Sequence, residues 1–161
     1  RSLMTPLLEH RTILTQRIKA ALTTLSQVSG VDNTRIAAIG YCFGGLCVLD
    51  LARSGAPIKG VVSVHGLLHA PREESSVAIR AKILVLHGYD DPLVKPEAVR
   101  DFGNEMTRKK VDWQIHIYGN TAHSFTNPHA NDTEMGLHFN PVANKRAERT
   151  LQNFLNELFI G

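Results

Sequence analysis

The chain has 161 residues, 43% of them hydrophobic and 20% charged, which is enough for one domain with a real core and too few for two of ordinary size. A formal net charge of +3 with a pI near 9.0 is mild, and the densest basic run, Arg108-Lys109-Lys110, falls where a helix should end. There it suits the helix dipole, so the sequence carries no mark of a nucleic-acid partner. The apolar, uncharged stretch Ile36 to Leu49 is too short for a membrane span and holds three glycines, so no membrane partner is expected either. Two cysteines, Cys42 and Cys47, lie too close along one turn and helix for a disulfide, and a reducing, cytoplasmic setting is the reading that follows.

Taken in chain order, Thr5-Pro6 forms an N-cap and first-turn pair, and Leu14, Ile18, Ala21, Leu22 and Leu25 recur on one face of a single long helix ended by Ser29-Gly30. Val31 to Thr34 is a polar turn. Ile36 to Ile39 is an apolar run fit for a strand buried on both faces, followed by a glycine-rich turn and a helix through Leu46, Leu49 and Leu51 to a stop at Gly55. The β-branched runs within Lys59 to His65 and Lys82 to His87 read as inner parallel strands. Between them, Gly66 to Ala81, with Pro71 and the charged Arg72-Glu73-Glu74, reads as a surface loop without chemistry. Pro96 opens a helix with Ala98, Val99, Phe102 and Met106 inward. Trp113, Ile115 and Ile117 alternate with polar residues in a strand nearer the sheet edge. Gly119 to Asn140 is long, polar and rich in His and Asn, the composition of a working loop. A last helix starts at Pro141 with Ala147, Leu151, Phe154, Leu155 and Leu158 on one side.

This order predicts an α/β fold, a mainly parallel sheet with flanking helices, whose ligands gather at the carboxyl ends of the strands. Three chemistry-bearing positions fall at those ends. Cys42 follows the Ile36 strand within Gly40-Tyr41-Cys42-Phe43-Gly44, the spacing of a nucleophile elbow with sulfur in place of hydroxyl. The glycines at 40, 44 and 45 remove side chains where the turn would crowd, and the helix after Cys42 aims its N-terminus at the thiol, favouring thiolate and then an oxyanion. Asp90 and Asp91 follow the third strand and His123 the fourth. Nucleophile, acid, histidine is the chain order of an α/β-hydrolase triad.

Taken singly, each residue has an ordinary alternative: a buried inert cysteine, turn-forming aspartates before Pro92, a loop histidine. Together on one sheet edge they have separate duties in acyl transfer. Cys42 attacks a carbonyl, His123 moves the proton, and an aspartate fixes the imidazole. A metal site is not expected, because there is no H-E-x-x-H or C-x-x-C, and His65 and His69 straddle a strand end. Cys47 reads as core, and Ser124 has no elbow around it.

The segments Gly40-Tyr41-Cys42-Phe43-Gly44-Gly45, His87-Gly88-Tyr89-Asp90-Asp91-Pro92-Leu93-Val94 and Tyr118-Gly119-Asn120-Thr121-Ala122-His123-Ser124-Phe125 together resemble the dienelactone hydrolase family. The resemblance covers nearly the whole chain, including His138-Phe139-Asn140 and the closing helix. It implies an α/β-hydrolase fold and a cysteine-dependent hydrolase of ester or lactone bonds. A covalent acyl-enzyme on Cys42 is implied, with His123 as base, the Phe43 backbone N–H as an oxyanion donor, and no metal or organic cofactor. The family spacing Gly-x-x-Asp-x-x-Val places the acid on Asp91 instead of Asp90.

Two departures qualify what the resemblance implies. In the family, an arginine shortly after the catalytic histidine helps hold a substrate carboxylate. Here the segment is His123-Ser124-Phe125-Thr126-Asn127-Pro128, so the substrate is expected to be another ester, lactone or thioester. The family fold also places strands before the helix that leads to the elbow, and a second oxyanion donor in a loop after one of them. Residues 1–161 are therefore expected to be a single domain forming the carboxyl-terminal part of a larger hydrolase domain, with weak activity alone and a tendency to form homo-oligomers. The alternative function is a hydrolase-fold relative without catalysis, serving as a binding or assembly module.

Overall fold

The computed structural model describes residues 4–73 and 75–160. Arg1, Glu74 and their part in the readings above lie outside the described residues. The elements in order are α1 (Thr5–Glu9), α2 (Arg11–Ser26), β1 (Ala37–Tyr41), α3 (Phe43–Arg53), β2 (Gly60–Val64), β3 (Lys82–Gly88), α4 (Pro96–Arg108), β4 (Trp113–Tyr118), β5 (Asn131–Asp132), β6 (Leu137–His138) and α5 (Pro141–Phe159). Strands β1 to β4 form one parallel sheet in the order of the sequence, with Ala37 opposite Gly60, Gly60 opposite Lys82 and Ile83 opposite Trp113. Each crossover after the elbow carries the chain one strand further, so every strand's carboxyl end opens on the same edge.

The alternation of side chains through β2 and β3 sorts the core into two layers. Val61, Ile83 and Val85 point to a layer with Leu49, Ala52, Phe102 and Met106 from α3 and α4, while Val62, Val64, Leu84 and Leu86 meet Ala143, Ala147 and Phe154 of α5. Both faces of these two strands are covered, which is why their sequences run apolar without interruption. The side chain of Asn140 caps α5 by accepting from the amides of Val142 and Ala143 at 3.1 and 3.0 Å.

Several expectations are corrected. The first helix is broken at His10 (φ −114°, ψ 70°), and its N-cap is Met4, with Thr5 already inside the helix. Among the described residues α1 buries no side chain, while α2 buries Arg11 and Leu14. The inward face of α2 ends at Leu22, leaving Ala21 and Leu25 exposed. Strand β1 is not buried on both faces: it pairs with β2 alone among the described residues, and Ile39 is 41% exposed. The span Gly119 to Asn140 is not all loop, since β5 and β6 pair as a short antiparallel ribbon. Finally, a Cβ at Gly40 would overlap the Gly44 carbonyl and one at Gly45 would come within 2.8 Å of the Gly66 Cα, whereas Gly44 itself has open space. Close approach demands glycine at 40 and 45.

Candidate active site

Cys42 sits between β1 and α3 with φ 52° and ψ −119°, a left-handed conformation that costs a non-glycine residue energy and is held by its surroundings. Its amide donates to the Val64 carbonyl at 3.0 Å, and its carbonyl accepts from the Gly45 amide at 3.0 Å. The turn is thus tied to β2 on one side and closed by the first turn of α3 on the other. The strained geometry carries the thiol away from the sheet, at the N-terminus of α3.

Across the sheet edge, His123 Nε2 lies 3.2 Å from Cys42 Sγ, and His123 Nδ1 lies 2.7 Å from Asp91 Oδ2. A carboxylate can only accept, so Nδ1 carries hydrogen and Nε2 is left to exchange a proton with sulfur. The second oxygen of Asp91 accepts from the Leu93 amide at 2.9 Å. Asp90 faces another way: its carboxylate accepts from the Thr121 amide at 3.0 Å and its own amide donates to the Thr121 carbonyl at 3.0 Å. Thus Asp91 meets the imidazole, and Asp90 ties the acid turn to the histidine loop.

The electrostatics follow from this chain of contacts. Hydrogen bonding to His123 lowers the Cys42 pKa against the opposing effect of burial, and the Phe43 amide lowers it further. Burial disfavours charge on His123, but the hydrogen bonds to Asp91 and Cys42 outweigh it and raise its pKa to about 9. The two shifts are one coupled event, in which thiolate and imidazolium stabilise each other. In Cys47, by contrast, burial raises the pKa. Proximity separates the cysteines: Cys42 has the His123 imidazole at 3.2 Å, and no such pairing is formed by Cys47 among the described residues.

The sequence reading passed over three contributors. The ribbon β5–β6 holds His123 from both sides, its amide donating to the Gly136 carbonyl and its carbonyl accepting from the His138 amide, each at 3.0 Å. Gly136, at φ 65°, also lies so close to Pro92 that a Cβ there would overlap the proline ring. The acid turn and the histidine loop therefore interlock. The second contributor is His65, buried at the carboxyl end of β2 with φ 39°. Its Nε2 pairs with Thr126 Oγ1 at 2.9 Å, and its ring stands edge-on to His123 at 5.1 Å and to Phe125 at 5.4 Å between centroids. Burial, and then the neighbouring charge of His123, push its pKa down to about 4. Its place at the end of an inner strand, on the same edge as Cys42, was the available signal.

The third is a buried ionic network under α3. Arg11 donates to both oxygens of Asp50 at 2.6 Å, and Arg53 to Asp50 at 3.3 Å and to Glu105 at 3.1 and 2.7 Å. Arg53 also donates to the Leu68 carbonyl at 2.9 Å. Among the described residues no cluster of three or more His, Cys, Asp or Glu side chains has the form of a metal site, and no helix is long and apolar enough to cross a membrane.

The family model for the dienelactone hydrolase family matches residues 1–159. The chain belongs to the dienelactone hydrolase family. An uncharacterized protein of Caenorhabditis elegans is 36% identical over 150 residues, covering 91% of this chain and 94% of that protein. Among solved structures, a dienelactone hydrolase-like promiscuous phosphotriesterase from metagenomic libraries superposes with a TM-score of 0.90 at 39% identity, covering 98% of this chain and 66% of its own. The structure named m3DLH gives a TM-score of 0.91 at 42% identity, with 97% and 65% coverage. The chain therefore spans just under two thirds of the length of these solved dienelactone hydrolase relatives. The fold is that of the α/β hydrolases.

Proposed function

We propose that this protein hydrolyses ester or lactone bonds of small molecules through a covalent acyl-enzyme on Cys42. The observation that carries the reading is the continuous Asp91–His123–Cys42 chain of contacts, at 2.7 and 3.2 Å, ending on a sulfur held at a strained elbow. The thiolate of Cys42 adds to the substrate carbonyl carbon, and the carbonyl electron pair moves to oxygen as an oxyanion facing the Phe43 amide. Protonated His123 gives its Nε2 proton to the departing alkoxide as the C–O bond breaks, leaving a thioester. Neutral His123 then takes a proton from water, the hydroxide adds to the thioester, and the C–S bond breaks to return the thiolate. Asp91 keeps the proton of Nδ1 in place throughout and stabilises the imidazolium.

The relative named a promiscuous phosphotriesterase adds activated phosphotriesters to the compounds worth testing. We infer further that the cytoplasm is the working compartment, since a reactive thiolate persists in a reducing environment. The decisive experiment is hydrolysis of p-nitrophenyl butyrate by wild type and Cys42→Ala, with the acyl-enzyme trapped by acid quench. The expected result is a burst of p-nitrophenol, a butyryl adduct on the Cys42 peptide, and loss of both in the variant. Turnover that survives Cys42→Ala would sink the proposal.

A further inference from the structure

A cavity of about 490 Å³ opens beside Cys42 and His65, and its wall is completed by Thr126, Asn127 and the side of α5 that bears Asn144 and Glu148. The positions of α5 that reach it, 144, 147, 148 and 151, follow one helical face, while Lys145, Arg146 and Arg149 do not line it. Among the described residues lining the cavity there is no lysine and no arginine, and Glu148 is the only carboxylate. Asn144 donates to Glu148 Oε1 at 3.0 Å, which orients the carboxylate, and Glu148 forms no ion pair among the described residues. A solvent-exposed carboxylate with no ion pair among the described residues therefore lines the wall of the cavity beside Cys42.

We infer that Glu148 is a specificity-determining residue that turns anionic substrates away from Cys42 and admits uncharged or cationic acyl groups able to hydrogen-bond with Asn144 and Thr126. The inference rests on the reading of this cavity as the substrate site. The physical basis is elementary. A second carboxylate in a cavity of this size sits within about a Debye length of Glu148, where unlike and like charges still discriminate. The polar amides and hydroxyls of the wall bind neutral oxygen-bearing groups without requiring charge.

The test compares alkylation of Cys42 by iodoacetate and iodoacetamide, which are nearly the same size and differ in charge. In each case the thiolate attacks the methylene carbon, the C–S bond forms and iodide leaves. Rates on the Cys42 peptide are read by mass spectrometry for wild type, Glu148→Gln and Glu148→Arg, and for Lys145→Gln as an off-cavity charge change. The iodoacetate to iodoacetamide ratio should rise roughly two- to threefold for each unit of negative charge removed, so that Glu148→Arg exceeds wild type by about four- to ninefold. An unchanged ratio in both Glu148 variants, or a shift of the same size from Lys145→Gln, would overturn the inference. A parallel measurement sets p-nitrophenyl butyrate against the mono-p-nitrophenyl ester of glutarate, with wild type preferring the neutral ester and Glu148→Arg narrowing or reversing that preference. If neither ester is hydrolysed while the alkylation ratio follows the charge at 148, the hydrolase reading fails and the charge selection stands. If both esters turn over with a flat alkylation ratio, the reverse holds.

Discussion

At the scale of single residues, adjacent aspartates are divided by geometry into two duties. Asp91 meets His123 Nδ1 at 2.7 Å, while Asp90 holds the Thr121 amide at 3.0 Å. Asp91→Asn replaces a pure acceptor with a group that can donate to Nδ1, which favours the wrong imidazole tautomer. Ester turnover should fall by about 10⁴, as it does when a triad acid is so changed. Asp90→Asn keeps an oxygen able to accept from Thr121 and should cost little. Steady-state rates of the two variants decide the assignment, and a larger loss in Asp90→Asn would reverse it. His65 makes a separate prediction, one about stability. Its pKa is pushed down to about 4 in the fold against about 6.5 in the unfolded chain. Between those values the unfolded state binds the proton and the folded state does not, so stability falls as pH falls through that window. The loss approaches about 3 kcal/mol by pH 4, from about 1.4 kcal/mol per pKa unit. His65→Gln, which keeps an amide within reach of Thr126, should flatten this part of the profile in urea titrations at pH 7, 5.5 and 4. An unaltered slope would show that the acid sensitivity lies elsewhere.

At the scale of elements, legibility followed the range of the interaction. The runs Val61-Val62 and Ile83-Leu84-Val85-Leu86 were readable because a strand covered on both faces must be apolar throughout, and Gly40 and Gly45 because backbone approaches closely there. That Cys42, Asp91 and His123 come within contact of one another was readable because a parallel sheet gathers strand ends on one edge. Asp50 and Arg53 were not, since charged residues three apart on a helix ordinarily read as a solvated pair. Here both are buried, and their partners Arg11 and Glu105 lie on other helices. The break at His10 has the same origin: the continuous periodicity gave no sign that Arg11 would be drawn onto α3. Likewise the ribbon β5–β6 is specified by its hold on His123 more than by propensity. The network joins α2, α3 and α4 and fixes the helix whose N-terminus faces Cys42. Arg53→Met would leave the buried Glu105 with Lys109 at 3.4 Å as its remaining cation and Asp50 with Arg11, each having lost the contact to the guanidinium that joins them. Such a loss typically costs about 3–5 kcal/mol, and denaturant unfolding should report it. A change below about 1 kcal/mol would mean that the network behaves like a surface ion pair.

At the scale of the whole molecule, the sheet is covered unevenly. Helix α5 packs over β2 and β3, where Val62, Val64, Leu84 and Leu86 meet Ala147 and Phe154. Strand β1 lies beyond that cover: Ile39, opposite Val62, and Tyr41, opposite Val64, are 41% and 50% exposed. The outer edge of β1 has no partner strand among the described residues, so unpaired amides and carbonyls run beside an apolar strip. Edges of this kind recruit further strands, and apolar side chains next to them add the area that makes pairing favourable. We propose that the 161-residue chain self-associates through β1. Light scattering after size exclusion should then give a mass that rises with concentration above the 17.8 kDa of one chain. Ile39→Lys puts a charge on the strip without touching Cys42, His123 or Asp91, and should return the protein to monomer, since an edge charge resists pairing with a like copy. Because β1 also carries the elbow, association should change the alkylation rate of Cys42 in step with mass in wild type and leave it constant in Ile39→Lys. A wild-type chain that stays monomeric across the concentration range would remove the proposal.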